Sequence, residues 1–202
     1  MKENIEDDLY ENRHSIYCYP NTDILINKLD LKDNTLLQKY EAKITAAKLL
    51  ALRQKGIIGT FNSQHIKDIH KYLFEDIYPF AGIFRTENIG KGVFRFAEWQ
   101  FIESELDKLL DILKNENYLE NYSQDITAKR LAYYISELNV LHPFREGNGR
   151  TIREFIRELA LKNKYILNLK KVDPKDFFNA SVKSIADTND LEKLINICLE
   201  KQ

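Results

Sequence analysis

The segment Leu141 to Phe155, LHPFREGNGRTIREF, concentrates His, Glu, Asn, Gly and Arg between two apolar stretches. Gly147-Asn148-Gly149 falls where a helix is expected to begin, so unpaired backbone donors and the positive end of the helix dipole converge there. That is what an anion site requires, and a phosphate fits it. Arg150 and Arg153 are three residues apart on the same helix and share a face, which suits more than one phosphate group. Glu146, just ahead of the glycines, is the carboxylate a Mg²⁺ bridging such phosphates would use, the rest of its shell coming from phosphate and water. His142, with an ordinary pKa of about 6.5, is the group that could take a proton from an attacking hydroxyl near neutral pH. Phe144, alternating with these polar groups, should turn inward and anchor the loop.

The elements that must position these residues read as helices. Seven Gly and four Pro fall in clusters, so most of the chain runs through long, little-interrupted elements. The apolar spacing predicts a helix over Thr35 to Gln54, with Leu36, Leu37, Tyr40, Ile44, Ala47 and Leu50 on its apolar face, and a second capped by Ser63. IFRTENIGKGVFRFA, from Ile83, places β-formers on both sides of Gly90-Lys91-Gly92 and predicts a short hairpin. Helices follow over Glu98 to Asn115 and Asp125 to Val140. His142-Pro143 breaks the latter, because proline disfavours a helical residue before it. Further helices are expected over Asn148 to Asn163, Pro174 to Ile185 and Asp190 to Glu200. The sum is an all-α single domain over residues 1–202 with one hairpin, its first 34 residues an extension packing on it.

Composition excludes several classes. Thirty Lys and Arg against 31 Asp and Glu give a net charge of −1, with 44% hydrophobic and 30% charged residues. Nucleic acid is not an expected partner, and neither disorder nor a collagen-like repeat fits. Two cysteines, Cys18 and Cys198, suit a reducing compartment. No apolar run reaches the ~18 residues of a membrane span, and the leader is acidic. The cytoplasm is the expected location, although export by a dedicated secretion machine would leave no mark in the sequence.

From His142 to Arg153 the run HPFREGNGRTIR resembles the Fic motif, HPFx(D/E)GNGRxxR, without a departure. With eight positions invariant, at about one in twenty each, a chance match is on the order of 10⁻¹⁰ per starting site. YCYPNTDILINKLDL at Tyr17 to Leu31, LFEDIYPFAGIFRTENIGKGVFRFA at Leu73 to Ala97, and NDLEKL near the C-terminus also look like bacterial Fic proteins of the cell-filamentation type. The resemblance implies a Fic fold, a helical bundle with a hairpin flap and a catalytic loop and helix at 142–162. It implies an adenylyltransferase moving AMP from ATP to a Ser, Thr or Tyr hydroxyl of a target protein. Carried over, His142 is the base and Glu146 the ligand of Mg²⁺, with Mn²⁺ as a substitute. Gly147, Asn148 and Gly149 cradle the α- and β-phosphates, Arg150 meets the β-phosphate region, and Arg153 meets the γ-phosphate. Lys91, Gly92 and Phe94 sit at the tip of the flap that docks the target. A base pocket is expected around Asn179 to Ser184.

Two other readings stand beside this one. The fold could transfer another group, such as UMP, phosphate or phosphocholine, or could serve as an inactive nucleotide-binding module. Relatives that transfer phosphate resemble a version with Lys at the place of Gly149, and the intact His142, Glu146 and arginines argue against the inactive form. Some Fic proteins carry an inhibitory helix marked (S/T)xxxE(G/N), whose Glu pairs with the second motif arginine. The nearest match, Thr188 to Glu192, is followed by Lys193, so a small separate antitoxin supplying that Glu is expected. Outside the motif, His65 and His70 read as packing residues and His14 as exposed. Glu154, Arg157 and Glu158 read as a solvated stripe. Arg85, Lys91 and Arg95 on the hairpin read either as contacts to phosphate or target or as charges that protect an edge strand.

Overall fold

The computed structural model describes residues 15–56, 59–92 and 94–202. The acidic leader with His14 lies outside them. At the centre stands a helix, α4, over Gln124–Leu141. Ala128, Leu131, Ala132, Tyr134, Ile135 and Leu138 are buried while Ile126 and Lys129 face outward, the broad apolar face of a helix set against several neighbours. Helices α3 (Ile102–Asn115), α5 (Asn148–Lys162) and α7 (Asn189–Cys198) pack around it. Outside α5 lies α2 (Ser63–Phe74), with α1 (Asn34–Lys55) against α2, while α6 (Pro174–Lys183) leans on α4 and α7.

Several local expectations shift. The side chain of Asn62, not Ser63, caps α2 by accepting the His65 N–H at 3.0 Å. In α1 the inward stripe is Leu37, Glu41, Thr45 and Leu52, while Leu36, Tyr40 and Leu50 face outward. The stripe is offset because Glu41 and Thr45 face a cation on α5, a partner that apolar periodicity does not register. The helix expected from Glu98 starts as a 3₁₀ turn, Trp99–Phe101, before α3. At the C-terminus α7 stops at Cys198, and β4 (Leu199–Lys201) pairs antiparallel with β3 (Tyr165–Leu167). Three-residue strands are too short for an alternation to stand out in sequence.

The expected hairpin forms from β1 (Gly90–Lys91) and β2 (Phe94–Arg95), with Gly90 opposite Arg95 and Lys91 opposite Phe94. Gly92, at φ +56°, occupies the turn, so Gly90 and Lys91 belong to the strand. Residues 15–33 fold back over the turn after α2: Cys18 bridges Leu25, Lys28 N–H donates to the Ile77 carbonyl at 2.7 Å, and Tyr17 meets Phe80 edge-on.

The first turn of α5 rests directly on α2. Gly147 has φ +81°, and a Cβ there would lie 2.3 Å from Phe74 Cζ. Left-handed backbone and overpacking each cost about 1–3 kcal/mol. Gly147→Ala should therefore destabilise the fold by roughly 2–4 kcal/mol, read as a fall in melting temperature of about 5–15 °C; an unchanged melt would show that this contact relaxes freely.

Candidate functional site

The loop between α4 and α5 turns through 142–147, and its buried backbone must find partners. His142 ends α4 in the left-handed region, φ 45° and ψ 60°, its N–H held by the Leu138 carbonyl at 3.0 Å. Asn148 folds its side chain back on the loop. Its Oδ1 accepts the Phe144 N–H at 2.9 Å, and its Nδ2 donates to the Phe144 carbonyl at 2.7 Å. Phe144 does turn inward, fully buried and stacked on His70 with centroids 3.8 Å apart. His70 Nδ1 accepts the Gly82 N–H at 2.8 Å, so its proton sits on Nε2, which donates to the Glu146 carbonyl at 2.9 Å. Burial holds the His70 pKa down at about 4, and the ring is neutral at pH 7.

Arg85 takes a place that its sequence did not suggest. Neither a phosphate contact nor an edge guard, it is 1% exposed and donates to the carbonyls of His142 at 2.9 Å, Glu87 at 2.7 Å and Leu141 at 3.2 Å, and to that of Ala97. Its own N–H reaches the Pro143 carbonyl at 2.9 Å. A buried guanidinium spending its fork on carbonyls ties the hairpin to the loop; only the long sequence separation hid it.

His142 lines an open cavity of about 1890 Å³ together with Glu146, Gly147, Asn148, Gly149 and Arg153. Its Nδ1 faces the Asn139 carbonyl at 3.3 Å, which as an acceptor selects the Nδ1–H tautomer and leaves the Nε2 lone pair unused. Burial, then the positive charges of Arg85 and Lys91, push its pKa down to about 4. The imidazole is therefore neutral and able to accept a proton.

At the start of α5 no side chain caps the helix. Its first i to i−4 bond is Thr151 N–H to the Gly147 carbonyl at 3.1 Å, so the donors of Asn148, Gly149 and Arg150 precede it. Glu146 bends back, its Oε1 accepting from Gly147 N–H at 2.8 Å while its side chain stays 41% exposed. It can offer an oxygen to a cation, but among the described residues no group of three or more His, Cys, Asp or Glu could hold a metal alone. An ion here needs oxygens from a ligand and water, as Mg²⁺ accepts.

The two motif arginines diverge. Arg153 has its guanidinium over Gly149, on the cavity, and pairs with no carboxylate among the described residues. Protein packed around it, then the like charge of Arg150, lowers its pKa. Arg150, expected beside it on the phosphates, turns away to α1. It pairs with Glu41, which also accepts from the Tyr78 hydroxyl, touches Thr45 Oγ1 at 3.2 Å and Glu146 Oε1 at 3.4 Å, and lies over the Phe74 ring. Asn148, likewise expected on the phosphates, has its side chain committed to Phe144, so only backbone is available from it.

The flap tip stands across the cavity mouth. Lys91 and Phe94 line it, and Lys91 Nζ sits 5.2 Å from the Phe178 ring of α6. From the stretch expected to hold a base, Ser181, Val182 and Lys183 line the cavity, while Asn179 and Ser184 do not. The stripe read as solvated is buried instead: Glu154 is 1% exposed and takes a two-pronged contact from Arg157 at 2.9 and 2.7 Å, and Glu158 lies 2.8 Å from His65.

Residues 60–160 match the Fic/DOC family. The protein adenylyltransferase VbhT of Bartonella schoenbuchensis is 37% identical over 90% of this chain, which spans 38% of VbhT's length. The protein y4lH of Sinorhizobium fredii is 32% identical, over 84% of this chain and 87% of its own. The fold matches the N-terminal Fic domain of a VirB-translocated Bep effector from Bartonella quintana, solved with bound ADP. That match has a TM-score of 0.85 and 26% identity, covering 92% of this chain and 95% of the other. The chain belongs to the Fic/DOC family.

Arg150→Ala strands the Glu41 carboxylate in a largely buried place and should cost roughly 2–4 kcal/mol of stability. Arg153→Ala should change stability by less than about 0.5 kcal/mol while weakening ATP binding about 10- to 100-fold. Denaturation and calorimetry on both variants check this, and equal stability losses would refute the division of labour.

Proposed function

We infer that this chain is a protein adenylyltransferase, moving AMP from ATP to a hydroxyl of a target protein. The observation that carries the reading is the neutral His142, its Nε2 unspent, sharing one cavity with the uncapped start of α5, Glu146 and Arg153. In the reaction the target oxygen bonds to the α-phosphorus, the bond from that phosphorus to the bridging oxygen breaks, and pyrophosphate leaves with the electron pair. The hydroxyl proton passes to His142 Nε2. A base with a pKa of about 4 is weak, but the negative charge of a bound triphosphate raises it when substrate is present.

The amides of Gly149 and its neighbours would bind the α- and β-phosphates, and Arg153 the γ-phosphate, holding the leaving group in line. Glu146 would hold Mg²⁺, or Mn²⁺ in its place, whose chemistry is to offset the charge growing on pyrophosphate. Lys91, Gly92 and Phe94 would present the hairpin edge to an extended target segment by strand addition. The adenine would lie toward Ser181 and Val182. Restraint, where it acts, would come from a separate small antitoxin supplying a Glu that pairs with Arg153 on the cavity. The acting place would be the cytoplasm of the cell that makes or receives the protein. No helix among the described residues is long and apolar enough to cross a membrane.

Incubation with cell lysate should label a protein from α-³²P-ATP and not from γ-³²P-ATP; label from the γ position would mean phosphate transfer. His142→Asn, which tolerates the left-handed backbone, should keep ATP affinity within about twofold and lower transfer by 10²–10⁴-fold. Glu146→Gln should lose most of the Mg²⁺-dependent activity. Undiminished transfer in excess EDTA would remove the metal from the mechanism.

A further inference from the structure

We propose that Phe96 is the positioning residue of the base, its ring fixing the plane of the His142 imidazole so that Nε2 faces the cavity. The proposal rests on the adenylyltransferase reading above. A catalytic base is commonly oriented by a third polar group. Among the described residues the one polar contact of the His142 ring is that of 3.3 Å to a carbonyl of its own helix, and no carboxylate reaches it. What it has is Phe96, with ring centroids 3.8 Å apart and planes 17° from parallel.

Phe96 is itself held. Phe94 meets it edge-on at 5.3 Å and 74°. The Phe96 N–H reaches the Ile89 carbonyl at 3.3 Å, and the Ala97 N–H reaches the Val140 carbonyl of α4 at 3.0 Å. Arg85 then donates to the carbonyls of both Ala97 and His142. The segment after β2 that carries Phe96 and the turn that carries His142 are thus fastened to one guanidinium, and the two rings are registered through backbone. Phe96 is half-buried and lines the cavity, unlike a core phenylalanine.

The charged groups around the ring decide the expected pH behaviour. Arg85, Glu87 and Lys91 come from the hairpin segment, Arg145, Glu146 and Arg153 from the motif loop and α5, Lys183 from α6, and α4 contributes the neutral Asn139; Glu87 and Arg145 pair with each other at 2.9 Å. Removing the Phe96 ring admits water, which raises the imidazole pKa, and removes an aromatic face that favours imidazolium, which lowers it. Burial is the largest cause of the present depression, so the first effect wins and the titration moves upward.

The test combines nuclear magnetic resonance of the histidine rings in the ligand-free protein with steady-state kinetics, on wild type, Phe96→Leu and Phe96→Tyr. In wild type the His142 ring protons should show contacts to Phe96 and an upfield ring-current shift. Phe96→Leu should lose that shift, raise the His142 titration midpoint, and lower kcat at least about tenfold with KM for ATP within about twofold. Phe96→Tyr should restore kcat to within about threefold. Unchanged kcat and pH profile in Phe96→Leu, or wild-type spectra without the contact, overturns the proposal; the wild-type spectrum decides even where Phe96→Leu does not fold. A wild type that transfers no AMP refutes the adenylyltransferase reading instead, and the spectra still decide the role of Phe96.

Discussion

The site depends on the hydrogen bonding of one short, largely buried loop. Between Leu141 and Gly147 the chain leaves one core helix and enters another, and each polar backbone group it buries costs free energy unless paired. Arg85 takes the carbonyls of Leu141 and His142 and gives its own N–H to that of Pro143. Asn148 takes both backbone groups of Phe144, and His70 takes the carbonyl of Glu146. What this pairing leaves over is the set of N–H groups at the start of α5. The anion site is thus what remains when everything else in the loop has been satisfied, on a turn too constrained to fold inward and cap itself.

The same need for partners sets the two arginines apart. Two guanidiniums facing one cavity would repel each other in the absence of ligand, and Arg153 already has its pKa lowered partly by Arg150. Turning Arg150 to Glu41 gives it a buried partner and sets it behind Glu146, whose carboxylate it touches at 3.4 Å. Arg150 is thereby kept off the cavity, which it adjoins through Glu146, while Arg153 lines it. Shared helix spacing fixes a shared face only for the first carbons of such long side chains; partners on other elements decide where the guanidiniums go.

The helices, the hairpin and the motif were legible because they are local. Apolar repeats gave α2, α3 and α4 to within a few residues, Pro143 ended α4, and paired glycines marked the hairpin. What escaped was long-range: Arg85 with carbonyls 56 and 57 residues away, Glu41 with Arg150 at 109 residues, Glu158 beside His65. A charged residue in an amphipathic pattern reads as solvent-facing by default, and only three-dimensional placement shows that its counter-charge is buried with it. Asn148 is the subtler case. Its type suits phosphate binding and equally suits mimicking a backbone peptide, and the unpaired groups of Phe144 decide between them.

The hairpin carries two demands at once. Two paired residues per strand cannot hold a hairpin together in water, so its order must come from its root, where Arg85, Ala97 and Phe96 join it to α4 and His142. At its tip Lys91 lies over Phe178 and Phe94 meets Phe96 edge-on, while a Cβ at Gly92 would meet nothing within 4 Å. A fastened root is what the proposed docking would ask for: an incoming segment would meet the tip while the base stays in register with the cavity. Freedom at the root would cost the alignment of Nε2, and rigidity at the tip would cost the range of segments it can meet.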